Sequence, residues 1–163
     1  MSVPDLPLSE GPHFAVFSLI VTKLKQDRDL RRVVRTWRTF EGQPTDAAEW
    51  SASALPGIRL LAGIAEKGFG DVASLESDLV VEVEIATCGT NINNQLKLYR
   101  ALKRACYPAN DNERYQLMES LINAGAYPAL FRFGGLTYSL PEPSLVVGRS
   151  QIMMTVRETM TIS

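Results

Sequence analysis

The chain has 163 residues, of which 45% are hydrophobic and 21% are charged, and its formal net charge is -1. This length and composition indicate a globular domain with a sizeable core, and the near-zero charge excludes a global field that would draw the protein to nucleic acid or to membranes. We predict an extended N-terminal tail over residues 1–10, where Pro4 and Pro7 oppose helix. Residues 11–163 are predicted to form a single domain.

Membrane segments, disulfides and metal sites are not expected from the residue pattern. The longest apolar run, Phe14 to Val21, is far shorter than the ~20 residues that span a bilayer, and residues 1–11 do not resemble a signal peptide, so we expect synthesis in the cytoplasm. Cys88 and Cys106 flank a predicted helix and would lie roughly 25 Å apart, too far for a disulfide. They are predicted to be free thiols. With a single histidine and no CxxC motif, we expect no metal and no cofactor.

The first half of the domain is predicted to be a helix followed by a long-looped hairpin. Apolar residues at spacings of three and four indicate a helix from about Pro12 to Gln26. We predict a first strand over Leu30–Phe40 and a second over Gly57–Ala65, with Glu41–Pro56 as the loop that pairs them. Glu66–Ser77 is predicted to be a glycine-containing connector.

A long strand that runs into an amphipathic helix follows, over residues 78–106. Leu79, Val81, Val83 and Ile85 alternate with polar residues, so they predict one dry strand face and one wet acidic face. Gly89 releases the chain, and Thr90 or Asn91 is predicted to cap the helix. The helix is expected to bury six residues: Ile92, Leu96, Tyr99, Leu102, Ala105 and Cys106.

The last third is predicted to contain a helix and three strands, two of them in a short hairpin. Asn110 and Glu113 have the spacing of a capping box, and Gly125 is placed to end the helix that they begin. Its expected apolar face is Tyr115, Met118, Leu121 and Ile122. The pair Gly134-Gly135 suggests a hairpin turn between Ala129–Phe133 and Leu136–Leu140. A loop through Pro141, Pro143 and Gly148 then leads to the final strand, Ser150–Ile162, with a dry face of Ile152, Met154, Val156, Met160 and Ile162.

These elements predict an α+β fold in the order α-β-β-β-α-α-β-β. The sheet is expected to be mostly antiparallel, with about five strands and two to three helices on one face.

Three motifs carry possible chemistry, and for each the structural interpretation is favoured. Glu82 and Glu84 would stand roughly 7 Å apart on one strand face, as in an inverting hydrolase, but exposed carboxylates on a wet face are common. Gly68–Ala73 matches GxGxxA, yet a strand rather than a long helix follows it. His13 is the single histidine, and no GxSxG motif supplies a nucleophile for it to activate. We therefore predict no catalytic residue and no enzymatic activity.

Two segments of opposite charge are candidates for a subunit interface or a channel wall. The basic segment contains Arg28, Arg31, Arg32, Arg35 and Arg38 together with Trp37, and the acidic segment contains Asp71, Glu76, Asp78, Glu82 and Glu84. Opposite patches on a nearly neutral protein are compatible with self-association. The arginines with Trp37 and Phe40 also suit binding of single-stranded nucleic acid, a second hypothesis from a different class.

The pattern resembles the tail terminator, or tail-completion, proteins of long-tailed bacteriophages. The resemblance extends from Phe14 to Ile162, and its most specific part is Val81-Glu82-Val83-Glu84-Ile85 running into Asn94-Gln95-Leu96-Lys97-Leu98-Tyr99-Arg100-Ala101-Leu102. The helix at Asn110–Ala124 and the proline-rich segment Pro141–Gly148 depart from the family pattern.

The resemblance implies a structural virion protein, located at the tail and neck of the particle. Such proteins form a ring, commonly of six copies, on the last ring of the tail tube, where they stop tube growth and provide the surface that the head joins. The implied partners are further copies of the chain, the tail-tube protein, the neck or connector protein, and DNA that passes without specific binding. A neighbouring neck or head-completion protein is the alternative within the same class.

Overall fold

The computed structural model describes residues 8–39, 50–66, 74–89 and 91–159. Within them it contains four α-helices, a short 3₁₀ helix at Ala52–Ala54 and six strands. The helices are α1 (Gly11–Gln26), α2 (Arg28–Val33), α3 (Asn93–Cys106) and α4 (Asp111–Ala124). The strands are β1 (Thr36–Arg38), β2 (Gly57–Glu66), β3 (Ser74–Cys88), β4 (Arg132–Phe133), β5 (Thr137–Glu142) and β6 (Leu145–Thr159). The predicted α+β class is confirmed, with one α-helix more than the three predicted.

The strands form one mixed sheet in the order β1-β2-β3-β6-β4, and β5 also pairs with β6. β2, β3 and β6 are long antiparallel neighbours, whereas β1 runs parallel to β2. The predicted hairpin of the first two strands is therefore wrong.

The strand predicted over Leu30–Phe40 is also wrong in its first half, which is helical. The side chain of Asp27 caps α2 by accepting a hydrogen bond from the backbone N–H of Leu30 at 3.0 Å. This cap and the burial of Leu30 favour a helical turn over an extended chain. Only Thr36–Arg38 remains as strand.

The predicted Gly134-Gly135 hairpin is wrong, because β4 and β5 do not pair with each other. Both lie along the same edge of β6, with Arg132 opposite Met153 and Thr137 opposite Arg149. They are two pieces of one interrupted edge strand, and the glycines lie at the interruption. The actual hairpin connects β5 to β6 at Pro143-Ser144, so β6 begins at Leu145 and Gly148 lies inside a strand rather than in a loop.

The core lies between the sheet and the helices, which cover one of its faces. The predicted dry face of β3 is confirmed, since Leu79, Val81, Val83 and Ile85 are all buried. On β6, Ile152, Met154 and Val156 are buried as predicted, while Met160 and Ile162 lie outside the described residues. All four helices contribute to this cluster, with residues such as Leu24, Leu30, Leu102 and Leu121.

The predicted buried face of α3 is confirmed at Leu102, Ala105 and Cys106 but is wrong at the start of the helix. Ile92 and Leu96 are exposed, whereas Gln95 and Leu98 are buried. Gln95 is accommodated because the two hydrogens of its Nε2 are shared among three acceptors, the carbonyl of Ile85 at 2.9 Å, the hydroxyl of Thr87 at 3.0 Å and the carbonyl of Val146 at 3.1 Å. These bonds hold the start of α3 against β3 and β6.

The helix-start prediction is confirmed for α4, whose N-cap is Asn110, but is wrong for α3, whose N-cap is Ile92 without a side-chain cap. Asn110 Oδ1 accepts from the N–H groups of Asn112 and Glu113, and Gly125 follows α4 with a positive φ of 123°. Asn91 Oδ1 accepts from the N–H of Asn93, while Thr90 lies outside the described residues. The predicted apolar face of α4 is mostly wrong, since Leu121 is buried but Tyr115, Met118 and Ile122 are exposed.

Candidate subunit interface and channel-facing surface

The sheet face opposite the helices, here called the charged face, consists of side chains that pair across strands. Four acidic residues of β3 point to it, and each has a partner on another strand. Arg157 Nη2 lies 2.6 Å from Glu76, Arg132 Nη2 lies 2.7 Å from Asp78, Gln151 Nε2 lies 2.8 Å from Glu82, and Arg59 Nη2 lies 2.5 Å from Glu84. The acidic segment is thus neutralised largely within the subunit.

Glu84 differs from Glu82 in that it is buried, with only 5% of its surface exposed. The indole N–H of Trp50 donates to its Oε1 at 2.9 Å, and Arg59 binds its Oε2. The expectation that both carboxylates are exposed is therefore wrong for Glu84. Glu82 is exposed as predicted.

At one end of the charged face, Trp50 belongs to a second, smaller apolar cluster that covers the sheet. Its buried members are Trp50, Leu55, Ala86, Leu145 and Val147. The sequence prediction missed this cluster, because Trp50 and Leu55 fall in a predicted loop and Leu145 and Val147 in a predicted connection. The signal was a tryptophan and a leucine in a segment that is otherwise small and polar.

The geometry at Glu82 and Glu84 does not supply a free pair of carboxylates. The hollow between them measures about 170 Å³ and is shared with Arg59 and Arg149. Both oxygens of Glu84 accept hydrogen bonds from the chain itself, so this group is not available to act on a substrate.

The other motifs considered for chemistry are likewise not assembled into a site. His13 Nε2 lies 2.6 Å from the hydroxyl of Ser77, but Ser77 is buried and out of reach of a substrate. The GxGxxA segment lies outside the described residues, as do Phe40 and Asp71. No group of three or more His, Cys, Asp or Glu side chains within the described ranges is placed to hold a metal ion.

The basic segment is divided between a helix and a strand. Arg28, Arg31 and Arg32 belong to α2, Arg35 follows it, and all four are exposed. Among the described residues, none of these four has an ion-pair partner. Arg38 instead lies over the ring of Trp50, 4.0 Å from the ring centroid.

Trp37 packs against the main core and is only partly accessible. Most of its surface is therefore covered within the subunit, which leaves little of the ring for stacking on nucleic-acid bases.

A groove of about 560 Å³ lies between α2 and α3, beside the ends of β2 and β3. Its floor includes Leu30, Val33, Pro56, Leu98 and Ala101, and its rim carries Asp29, Lys97, Arg100 and Arg104. The sequence prediction did not find this groove, since it arises only where α2 and α3 come together. Its apolar floor and largely cationic rim suit a partner segment with apolar and acidic side chains.

The two cysteines are both free thiols, as predicted, and they differ in accessibility. Cys88 is exposed at the groove, whereas Cys106 is buried in the core. Burial raises the pKa of Cys106 to about 12, so its thiol stays protonated at neutral pH.

No family model matches the chain, and no curated protein matches it. Among solved structures, it is similar to a chain from the virion of a native gene transfer agent particle, at 11% sequence identity and a TM-score of 0.47. The superposition covers 92% of this chain and 100% of that chain. None of the helices in the described part of the chain combines the length and hydrophobicity that crossing a bilayer requires.

Proposed function

We propose that the protein is a structural virion component that forms a ring at the head-proximal end of a phage-like tail tube. In this role it ends tube polymerisation, provides the surface that the head joins, and leaves a channel for DNA. The observation that carries the proposal is the charged face, where the acidic side chains of a long central strand are matched by partners from neighbouring strands of the same subunit.

A wall of this kind suits a channel through which DNA passes without being bound. A surface of unpaired Lys and Arg would bind phosphates and retain the DNA, because each neutralised phosphate releases counterions. On the charged face, Arg59, Arg132 and Arg157 each lie against a carboxylate, so their charges are offset over a few ångströms. The net field that this surface presents to passing DNA is correspondingly weak.

The partners in this proposal are further copies of the chain, six in the commonest arrangement, the tail-tube protein and the neck or connector protein. A ring requires heterologous contacts, in which one surface of a subunit meets a different surface of the next. The four exposed arginines, Arg28 to Arg35, are candidates for a contact between proteins. The groove between α2 and α3 is a candidate surface for the tube or the connector.

The channel role is tested by removing the acidic half of the charged face. In the variant Glu76→Gln/Asp78→Asn/Glu82→Gln, Arg157 and Arg132 lose the carboxylates that they pair with and the face loses three negative charges, so we expect salt-dependent DNA binding that the unmodified protein lacks. Asp111→Asn/Glu113→Gln/Glu119→Gln changes the net charge equally on α4, so it is the matched control. Steeply salt-dependent DNA binding by the unmodified protein, or equal binding by both variants, would contradict the proposal.

The assembly role is tested by negative-stain imaging and light scattering of the purified protein at high concentration. We expect closed rings, and we expect Arg35→Glu to lower the assembled fraction if the arginines contribute to the contact. Unchanged oligomer mass at matched salt would remove Arg35 from the interface.

The exposed arginines of α2, Arg28, Arg31 and Arg32, favour one alternative function, that of a small nucleic-acid-binding protein. A monomer that binds single-stranded DNA, and loses this binding in Arg31→Gln/Arg32→Gln, would favour that function over a ring. Rings that do not bind DNA would exclude it.

Either a tail terminator or a neighbouring neck protein would form rings, and the identity of the adjacent genes would distinguish the two.

A further inference from the structure

The sheet has two open edges, on opposite sides of the subunit. β1 covers only Gly57–Arg59 of β2, so Leu60–Glu66 has no strand on its outer side within the described residues. On the other side, β5 pairs with β6 alone, and all six of its residues are exposed. Both edges carry large exposed apolar side chains, Ile64 on β2 and Tyr138 and Leu140 on β5. Such edges are templates for pairing with another chain.

The two open edges have compatible directions. β2 is antiparallel to β3, β3 to β6, and β6 to β5, so β5 runs antiparallel to β2. If copies are related by rotation about an axis along the sheet, β5 of one copy meets β2 of the next in antiparallel orientation. The sheet would then continue from copy to copy with the pairing type that it already has.

The alternation of side chains restricts the register of this pairing to one solution. Within a subunit, Ser139 lies level with Val147, Ala86 and Gly57, on the charged face. Its partner on β2 must point to the same face, which leaves Leu61, Gly63 or Ala65. Pairing with Leu61 would bring β5 against the part of β2 that β1 occupies, and pairing with Ala65 would run past Glu66. Only Gly63 places all of β5 against the open edge, with Thr137 opposite Ala65 and, because β5 has a bulge between Ser139 and Glu142, Glu142 opposite Leu61.

The resulting stagger agrees with the geometry of a closed barrel. Ser139 is moved from the level of Gly57 to that of Gly63, six positions along β2, or about 20 Å at about 3.3 Å per residue. Each copy contributes four strand positions across the sheet, about 19 Å at about 4.8 Å spacing. These lengths give a strand tilt of about 45°, at the upper end of the range for β-barrels.

The direction of the stagger decides which face points inward. The chain crosses from β3 through α3 and α4 to the parallel strand β4, and such crossovers are right-handed. Seen from the helix side with β3 pointing up, β5 is therefore on the right and the open edge of β2 is at the lower left. Because β5 pairs with the lower-left edge of the next copy, the copy on the right is displaced upward along the strands. When all copies are placed at one height around the ring axis, this displacement makes the strands slope upward to the right. Right-handed strand twist produces this slope when a barrel is viewed from outside, which puts the helices outside and the charged face inside.

From these relations we infer that the ring closes by sheet continuation, with β5 of each copy paired to Leu61–Ala65 of the next and Ser139 opposite Gly63. Tyr138 then lies beside Ile64 of the adjacent copy, an aromatic and β-branched pair that covers two exposed side chains at once. Six copies would supply about 24 strands, more than the 16–18 of barrels that already enclose an aqueous channel. The inference rests on the proposed ring and specifies its subunit contact.

The test is disulfide capture between copies. Gly63→Cys and Ser139→Cys are combined with Cys88→Ser, which removes the exposed native thiol. A Cβ at Gly63 has room, since its nearest contact would be the carbonyl of Val80 at 3.7 Å. Opposite residues of antiparallel strands have Cα atoms about 4.5–5.5 Å apart, within disulfide range. We expect a ladder of covalent oligomers on a non-reducing gel that ends at the ring size and disappears with reductant.

The control pair is Ala65→Cys with Ser139→Cys in the same background. Ala65 is two residues from the position opposite Ser139, so the two substituted residues would lie about 7–8 Å apart on a diagonal. This distance is too long for a disulfide, and we expect no ladder. Rings in the electron microscope without a ladder from the Gly63 pair, or with equal ladders from both pairs, would overturn the sheet contact and leave the ring intact. Monomers without a ladder at high concentration would overturn the ring itself.

A substitution at the edge gives a second readout that does not depend on oxidation. Ile64→Lys places a charge on the open edge of β2 without disturbing the buried core, and we expect it to abolish rings in light scattering. Leu8→Lys, at a more exposed apolar residue away from the sheet, is expected to leave them unchanged. Rings that survive Ile64→Lys would contradict the inference.

Discussion

Near one end of the central sheet, side chains exclude water from both of its faces, but the residues that do so differ in kind. The helix-covered face is closed by apolar side chains such as Leu60, Ile85 and Met154 packed under helices. The charged face is closed by Trp50 and its small cluster, with Glu84 held beneath. Elsewhere on that face, carboxylates and arginines pair across strands in partial contact with solvent.

The difference indicates that the two sides of the same strands contribute unequally to stability. Apolar burial stabilises a fold in proportion to the area removed from water, whereas exposed ion pairs contribute little. The helix-covered face therefore accounts for most of the stability. The charged face contributes less to stability, and in the role proposed for it as a channel wall its net charge is the property that matters.

The largest effect is expected for a cavity in the helix-covered face. Leu60→Ala removes a fully buried side chain of β2, and we expect a loss of about 2–5 kcal/mol in the free energy of unfolding measured by urea. Ile64→Ala lies four residues further on the same strand face but is exposed, so about 0.5 kcal/mol or less is expected, measured at concentrations where the protein is monomeric. Equal losses for both variants would contradict the assignment of the core.

The next effect separates the two carboxylates of the charged face. Glu84→Ala leaves the Trp50 indole N–H and the Arg59 guanidinium without their partner, and we expect a loss of about 1–3 kcal/mol in urea denaturation. Glu82→Ala removes an exposed residue bonded to Gln151 and should change stability by about 0.5 kcal/mol or less. Similar costs at both positions would mean that Glu84 is not buried in the way described.

A comparable but conditional effect is expected at Gly148, in the helix-covered face of β6. A Cβ at this position would collide with the side-chain oxygen of Gln95, whose amide nitrogen is held by hydrogen bonding to Ile85, Thr87 and Val146. We expect Gly148→Ala to cost about 1–3 kcal/mol in the native background.

The same Gly148→Ala substitution should cost much less in a Gln95→Ala background, because the colliding group is gone. A double-mutant cycle by urea denaturation measures this coupling. Additive costs of the two substitutions would show that the contact is not responsible.

The effect that is smallest at neutral pH concerns the buried thiol of the helix layer, and it grows only at high pH. The pKa of Cys106 rises from 9.0 to about 12 on folding, so the unfolded chain loses this proton first as pH increases. Its contribution to stability is complete below about pH 9 and is lost between pH 9 and 12, by at most about 1.4 kcal/mol per pH unit. The stability difference between the native protein and Cys106→Ala should shrink over this range, and a constant difference to pH 11 would contradict the assignment.

Sequence reasoning was most successful where a pattern repeats over many residues. The alternation in β3 predicted its dry face correctly, and the capping residue Asn110 and the terminating Gly125 predicted the limits of α4. It failed where the pattern is short or where a tertiary contact decides. The arginine-rich segment after Asp27 has too few apolar residues to distinguish a helix from a strand. Gly134-Gly135 has the composition of a turn but lies at a break in an edge strand.

The candidate surfaces were predictable only in part. The sequence places Glu82 and Glu84 on the same side of β3, because alternation is a property of any strand. It does not reveal that Trp50 covers one carboxylate and leaves the other exposed, since Trp50 is 34 residues away along the chain. The roles proposed for the arginines and the carboxylates in a ring remain predictions.

By itself, the sequence determined the α+β class, the dry face of the long strand and the positions where several helices begin and end. Each of these follows from local periodicity and from capping groups within a few residues. Only the tertiary structure decided that β1 is parallel to β2, that β4 and β5 form one broken edge, and that Gln95 rather than Leu96 faces the core. These features depend on which distant strand or helix supplies a hydrogen-bond partner or an apolar contact, and no local pattern encodes that choice.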